Sequence, residues 1–262
     1  VVVLRVAPKS QVAEEMAAAG IRDDGVIVVP ARPTTSKTRV VARSQQLVRI
    51  DEEENTLLDG DALEDLQHRL RRALRNADAV LLEDYNKGTL TPEVIGTALG
   101  VARKRGIPSV VDPKYKQFFE YRGATVFKPN RRELEAALGA AVDLEHANAL
   151  PTVMKRLEVD NLLLTLGPQG MALLDHDGNI ARFPTHAREV YDVSGAGDTV
   201  TAWVGTALAA GAAVHEAAEL ANYAAGIEVG KAGVAVVTRE EVLDLYERQF
   251  DEVGMFRRGG LL

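Results

Sequence analysis

The chain has 262 residues, of which 46% are hydrophobic and 26% charged, a balance typical of a globular protein rather than a disordered or fibrous one. Its formal net charge of -7 argues against a nucleic-acid-binding protein, which would carry a clustered basic face. The absence of cysteine excludes disulfides and thiolate metal sites and suits a cytoplasmic location. No apolar run approaches the ~20 residues that a membrane-spanning helix needs, so we expect no membrane contact.

The first fifth of the chain predicts a helix, a short strand and a hairpin. Residues 10–19 favour a helix that Gly20 ends, and Val26–Val29 indicates a buried strand. From residue 32 to residue 51 many β-branched residues favour two strands joined by a polar turn. Few positions in this hairpin are apolar on both faces, so we expect residues 33–51 to form a lid rather than central strands.

The rest of the chain alternates apolar strands with helices. Thr91 and Pro92 are placed to open a helix that Gly106 closes. We predict further helices at 61–76, after Asn130, after Asp143, and at 197–210, 214–230 and 238–250, strands at 79–82, 107–111, 125–127 and 162–164, and a hairpin turn at 175–179. This alternation implies an α/β fold with a mainly parallel sheet between helices. We therefore predict one domain over residues 1–262 with the β-hairpin lid within it.

The strongest chemical signal is the segment Asp192–Asp198, which a run of small residues follows. Gly195 and Gly197 let the backbone approach a ligand closely, and the helix after them points its first N–H groups at the same place. An anion would be stabilised there, and Asp198 in the first helical turn could take a proton from an attacking hydroxyl. Taken alone, the segment could also be a glycine-rich turn with an acidic first-turn residue and no chemistry.

This segment resembles the signature of the PfkB family of ribokinase-like sugar kinases, and three further segments resemble that family in the same order. They are Asn130–Glu133, Thr165–Gly170, and Asn222–Gly226 with Lys231–Gly233. The resemblance implies a ribokinase-like fold, Asp198 as catalytic base, and an anion hole formed by Gly195, Ala196 and Gly197. It also implies ATP contacts from Asn130, Arg131, Arg132, Glu133, Thr165, Gly167, Gly170 and Asn222, with Mg²⁺ at Glu133.

Two of these segments have a simpler structural interpretation. Asn130 and Glu133 have the spacing of an ordinary helix-capping pair, and Thr165–Gly170 could be a plain hairpin connection. The agreement of four segments in order outweighs these simpler interpretations.

The lid and the segments at two strand ends narrow the resemblance to one group of kinases within the family. Lys37–Asp51, Asp84–Gly88 and Val111–Lys114 are similar to the corresponding segments of bacterial heptose 7-phosphate kinases, which form one domain of bifunctional heptose kinase/adenylyltransferases. The resemblance implies conversion of D-glycero-β-D-manno-heptose 7-phosphate to the 1,7-bisphosphate, which supplies ADP-heptose for lipopolysaccharide core, and a homodimer formed through the lid.

A phosphorylated substrate calls for cations, although a surface lysine or arginine is usually only solvated. The substrate candidates are Asp84, Lys87, Lys114 and Arg43, while we expect Tyr85 and Trp203 to be packing residues.

The first residues depart from the family pattern. A family member begins with a strand that bears an acceptor-binding Asp and continues into a Gly-Gly segment, and neither is found here. We therefore expect an incomplete acceptor site and a chain that binds nucleotide better than it phosphorylates sugar. Two alternative functions stay open: a kinase for another sugar or sugar phosphate, such as ribose or a fructose phosphate, and a nucleotide-binding dimer with weak catalysis.

Overall fold

The computed structural model describes residues 4–5, 11–30, 32–42, 45–144, 146, 149–187, 190–233 and 235–258. Its elements in chain order are β1 (Leu4–Arg5), α1 (Gln11–Ala18), β2 (Ile27–Val28), β3 (Ser36–Ala42), β4 (Gln45–Glu52), α2 (Gly60–Ala73), β5 (Val80–Glu83), α3 (Pro92–Arg105), β6 (Ser109–Asp112), β7 (Val126–Phe127), α4 (Arg131–Leu138), α5 (Ala149–Leu157), β8 (Asn161–Thr165), a 3-10 turn (Gly167–Gln169), β9 (Met171–Leu174), β10 (Ile180–Phe183), α6 (Ala196–Ala209), α7 (Val214–Glu228) and α8 (Arg239–Arg258).

A six-stranded sheet in the order β10-β9-β8-β7-β6-β5 forms the centre of the fold. Strands β5 to β8 are parallel, and β9 runs antiparallel to both β8 and β10. The mainly parallel α/β sheet predicted from the sequence is confirmed. The antiparallel edge arises because residues 166–170 and 175–179 are tight connections, from β8 to β9 and from β9 to β10, and such connections can join only antiparallel neighbours.

Helices cover both faces of this sheet, because successive residues of a strand point to opposite sides. Leu162 and Leu164 of β8 belong to one buried cluster, which includes Leu66 of α2, Ile95 of α3 and Leu134 of α4. Leu163, between them, belongs to a second buried cluster, with residues of α6 and α7 such as Val204 and Ala221. Among the described helices, none combines the length and apolar character needed to cross a membrane.

The helix ends follow local chemistry. The Thr91 side chain accepts a hydrogen bond from the Val94 N–H, Pro92 is the first helical residue, and Gly106 ends α3 with φ of 68°, as predicted. The helix predicted after Asp143 begins at Ala149. This start places Pro151 in the first turn, where its missing N–H breaks no intrahelical bond.

The predicted hairpin forms a two-stranded antiparallel sheet of its own, β3 with β4, paired from Ser36–Glu52 to Ala42–Gln45. Leu47, Val48 and Ile50 of β4 are exposed although they are large and apolar. A two-stranded sheet is marginal in water unless another surface covers it. The hairpin is thus confirmed as structure, while its role as a lid stays a prediction.

Gly170 allows an unusually close backbone contact at the start of β9. Its φ is +83°, and an added Cβ would lie 1.9 Å from the Phe183 carbonyl oxygen. We expect Gly170→Ala to lower the free energy of unfolding by at least ~2 kcal/mol, measured by urea denaturation. Gly178 is the matched control, because its φ is +86° and a Cβ there would meet nothing within 4 Å. A loss in Gly178→Ala as large as that in Gly170→Ala would contradict the steric explanation.

Candidate active site

The N-terminus of α6 lies against the carboxyl ends of the parallel strands. Gly195 caps the helix with φ of 96°, so that Asp198 is its third residue. An added Cβ on Gly197 would lie 3.6 Å from both the Asp112 Oδ2 and the Lys128 Nζ. Because Asp112 ends β6 and Lys128 follows β7, the predicted anion hole and base lie at the sheet edge where open α/β folds bind ligands.

Asp198 presents an exposed carboxylate that one neighbour orients. The Tyr85 hydroxyl donates a hydrogen bond to the Asp198 Oδ1 at 2.7 Å. Burial, and next this hydrogen bond, raise the pKa of Tyr85, so the hydroxyl remains a donor at neutral pH. The packing role expected for Tyr85 is wrong, because 51% of the residue is exposed and its hydroxyl contacts the candidate base.

Three acids, Glu83, Asp112 and Asp198, form what we call the carboxylate cluster. Glu83 and Asp112 are paired residues at the ends of β5 and β6, and carboxylate oxygens of all three acids lie within 4.8 Å of one another. The Lys128 Nζ lies 3.0 Å from the Asp112 Oδ2, and both of these side chains are buried. Burial, and next the charge of Asp112, raise the pKa of Glu83 to about 8.

Glu83 and Lys128 were not among the residues chosen from the sequence. The sequence signal for Lys128 was its position, directly after the buried strand Val126–Phe127 and two residues before Asn130. A lysine in that position must have an acidic partner if it is buried. The signal for Glu83 was an acid at the end of an apolar strand, next to the Asp-Tyr pair already noted.

The segments that resemble a nucleotide site lie side by side. Asn130 forms a parallel bridge with Thr165, which joins the turns after β7 and β8. Asn130 and Glu133 form a reciprocal capping box: the Glu133 N–H donates to the Asn130 Oδ1 at 2.8 Å, and the Asn130 N–H donates to the Glu133 Oε2 at 2.9 Å. The Lys114 Nζ forms an ion pair with the Glu133 Oε1 and lies 4.0 Å from the Asp112 Oδ1. The capping interpretation of this pair therefore holds, and a role in binding nucleotide or metal stays a prediction.

Other residues chosen for the nucleotide site make contacts within the protein. Arg131 donates to the Glu135 Oε1 at 2.9 Å and to the Val142 carbonyl at 3.1 Å. The buried Asn222 donates to the Pro184 carbonyl at 2.7 Å. Gly167 opens the 3-10 turn with φ of 59°, and Arg132 is exposed to solvent. Arg131 and Asn222 thus have structural roles in this geometry.

The residues chosen as substrate contacts differ in their surroundings. Asp84 is buried and accepts hydrogen bonds from the Tyr121 hydroxyl at 2.9 Å and the Asn86 N–H at 2.7 Å. These hydrogen bonds fix the turn after β5, and a contact between Asp84 and the sugar stays a prediction. Lys114 lies beside the carboxylate cluster, whereas Arg43 lies outside the described residues.

Lys87 points toward the base of the hairpin. Its Nζ lies 2.5 Å from the Glu53 Oε2 and 3.2 Å from the Asn55 Oδ1. These contacts link the turn after β5 to the segment that follows β4. A movement of the hairpin would therefore change the contacts of Lys87.

The fold defines a class of protein, those with a ribokinase-like fold. The structure is similar to that of Arabidopsis thaliana ribokinase complexed with ribose and ATP, with a TM-score of 0.71 and 23% identity over 92% of this chain and 80% of that one. It is also similar to phosphofructokinase-2 from Escherichia coli in complex with potassium, with a TM-score of 0.76 and 16% identity over 94% and 80%. At these identities the likeness shows the fold.

The sequence identifies the family within that class. Residues 7–240 match the family model described as pfkB family carbohydrate kinase, and the chain belongs to this family. The protein named "Bifunctional protein HldE" from Geobacter metallireducens is 44% identical over 226 residues, which are 86% of this chain and 46% of that protein. The protein of the same name from Trichlorobacter lovleyi is 44% identical over 82% of this chain and 44% of its own length. The chain thus spans a little under half the length of these relatives, and it is a carbohydrate kinase by family.

Proposed function

We propose that the chain transfers the γ-phosphoryl group of ATP to a sugar phosphate, with D-glycero-β-D-manno-heptose 7-phosphate as the acceptor and its 1-hydroxyl as the nucleophile. The observation that carries the transfer chemistry is the exposed Asp198 carboxylate at the N-terminus of α6, directly after Gly197, which lies beside the buried Lys128. The heptose is supported by the relatives named HldE and by the segments Asp84–Gly88 and Val111–Lys114.

In this mechanism the acceptor hydroxyl gives its proton to Asp198 while its oxygen attacks the γ-phosphorus. The bond between that phosphorus and the bridging oxygen breaks, and ADP leaves with the electron pair. The N–H groups at the start of α6, at Ala196 and Gly197, would donate to the transferring phosphoryl oxygens. The Ala196 N–H would exchange its 3.5 Å hydrogen bond to the Val193 carbonyl for this contact. Lys128 adds a positive charge next to Gly197. The Tyr85 hydroxyl holds the Asp198 carboxylate in one orientation.

Glu133 fits a metal through water rather than directly. Its oxygens are engaged by Lys114 and the Asn130 N–H. Mg²⁺ keeps several of its own waters and needs few protein ligands, so a carboxylate that keeps these partners can still hold it through a water. When bound, Mg²⁺ would neutralise phosphate charge during the transfer.

Lys114 is the cation best placed to contact an anionic substrate. It lies between Glu133 and Asp112 and is partly exposed, so it can reach a phosphate without leaving a buried carboxylate unpaired. Lys87 is paired with Glu53 and would have to exchange that partner for a phosphate.

The test is ADP release from ATP and Mg²⁺ with each of four acceptors: the heptose 7-phosphate, fructose 1-phosphate, fructose 6-phosphate and ribose. We expect the highest kcat/KM with the heptose 7-phosphate, and no acceptor-dependent release from the Asp198→Asn control. Equal or better turnover of ribose or a fructose phosphate would overturn the heptose assignment. ATP binding without turnover of any acceptor would favour the nucleotide-binding alternative.

We also propose that the β3–β4 hairpin is a lid on one kinase domain and pairs with its copy in a homodimer. The support is that three large apolar residues of β4, Leu47, Val48 and Ile50, are exposed. Light scattering should give a dimer mass for the parent chain and a monomer mass for Leu47→Lys. Leu243→Lys, which changes an exposed leucine on α8, should stay dimeric. A parent that is monomeric while circular dichroism shows it folded would refute the proposal.

A further inference from the structure

The carboxylate cluster holds more negative charge than its surroundings balance. Asp112 is paired with the buried Lys128, and Asp198 accepts a hydrogen bond from Tyr85. The next cation, Lys114, is 4.0 Å from Asp112 and is paired with Glu133. Glu83 faces these groups from the end of β5, and within the described structure its buried Oε2 has no hydrogen-bond partner. Such a set of nearby acids cannot all stay ionised without cost, and one of them takes up a proton.

Burial and the partners of each acid indicate which one carries that proton. Asp112 keeps its charge beside the buried Lys128, and Asp198 is exposed and accepts the hydrogen bond from Tyr85. Burial, and next the charge of Asp112, raise the pKa of Glu83 and outweigh its contact with the Thr201 hydroxyl, which lowers that pKa. Glu83 is therefore the member of the cluster that most readily holds a proton.

We propose that Glu83 carries a proton at neutral pH and is a positioning residue of the kinase site, which leaves Asp198 as the free negative charge that faces the reacting groups. This inference rests on the proposed phosphoryl transfer. When Glu83 ionises at alkaline pH, a second negative charge appears beside Asp198, where the γ-phosphoryl group would lie. Repulsion then opposes the approach of that anion, and turnover falls.

The first test is the pH dependence of kcat for the parent, Glu83→Gln and Glu64→Gln, from about pH 6 to about pH 10. Glutamine imitates the protonated acid but cannot ionise, and Glu64 is an exposed glutamate on α2 that serves as the matched control. We expect turnover of the parent and of Glu64→Gln to fall above a pH close to 8, the value to which the pKa of Glu83 is raised. In Glu83→Gln this fall should move up by about one pH unit or more. An unchanged alkaline fall in Glu83→Gln overturns the proposal.

The second test needs no substrate. Between its ordinary pKa of 4.5 and the raised value of about 8, Glu83 binds a proton in the folded chain but not in the unfolded one. The free energy of unfolding therefore falls as pH rises through this window. The pKa of Glu228 is also raised by burial, so the parent curve holds more than one contribution, and the difference between the parent and Glu83→Gln isolates Glu83. Parallel curves for the two proteins would overturn the proton assignment.

These readouts separate the two proposals. A difference between the stability curves, without turnover of any sugar phosphate, would leave the proton on Glu83 and reject the proposed function. Turnover of a sugar phosphate together with parallel stability curves would support the proposed function and reject the proton on Glu83. Carbon-13 NMR of the parent with labelled glutamate carboxyls needs no variant that must fold, and the absence of any glutamate that titrates above pH ~7 would also reject the proposal.

Discussion

Replacement of Asp198 by asparagine is expected to lower kcat by ~10² to 10⁴-fold while ATP binding persists, because removal of a general base typically costs that much. Asparagine keeps the shape of the side chain but cannot take the proton of the acceptor hydroxyl. The side chain is exposed, and its loss of charge leaves no buried partner unpaired, since its neighbour Tyr85 can donate to an amide oxygen as well. The measurements are ADP release with the acceptor that the parent prefers and ATP binding by calorimetry.

The Tyr85→Phe variant is the control for this prediction. It removes the hydroxyl that orients Asp198 at 2.7 Å but leaves the base in place. Its loss of turnover should therefore be clearly smaller than that of Asp198→Asn. Near-normal turnover of Asp198→Asn would remove Asp198 from the mechanism. A loss of ATP binding that matches its loss of turnover would instead assign Asp198 to binding.

The sequence predicted the secondary structure well where local chemistry decides it. The ends of α3 follow from Thr91, Pro92 and Gly106, and the hairpin between β9 and β10 follows from its polar turn. The order of strands and helices then leaves a mainly parallel sheet as the simplest arrangement. The pattern predicted a helix after Asp143 without fixing its first residue, which is Ala149.

The contacts of the site were harder to predict, because they join residues far apart in the chain. Tyr85 and Asp198 are 113 positions apart, and nothing local to either residue indicates the other. The pairing of Glu83 with Asp112 depends on the register of β5 and β6, which a sequence pattern fixes only after the sheet order is known. Asp84 was chosen because its segment resembles that of the heptose 7-phosphate kinases, and its hydrogen bond from the Tyr121 hydroxyl could not be read from that segment.

Replacement of Lys128 by methionine is expected to lower the free energy of unfolding by ~3 to 5 kcal/mol, the usual cost of breaking a buried ion pair by removing one partner. Lys128 and Asp112 are 3.0 Å apart with side-chain exposures of 2% and 8%, so water cannot replace the lost charge. Methionine keeps most of the length and the apolar stem of lysine, and the change therefore tests charge rather than volume. Urea denaturation of the parent and the variant measures the effect.

Two further variants sharpen this prediction. Lys114→Met breaks the pair with Glu133, whose members are more exposed, so its cost should be ~1 kcal/mol or less. The double variant Lys128→Met with Asp112→Asn removes both charges of the buried pair and should recover much of the lost stability, because the penalty of the single variant comes mainly from the unpaired Asp112. Turnover should be low in Lys128→Met and should not recover in the double variant, since both lack the positive charge beside Gly197. A double variant that is no more stable than Lys128→Met would show that Lys128 contributes through packing and not through its charge.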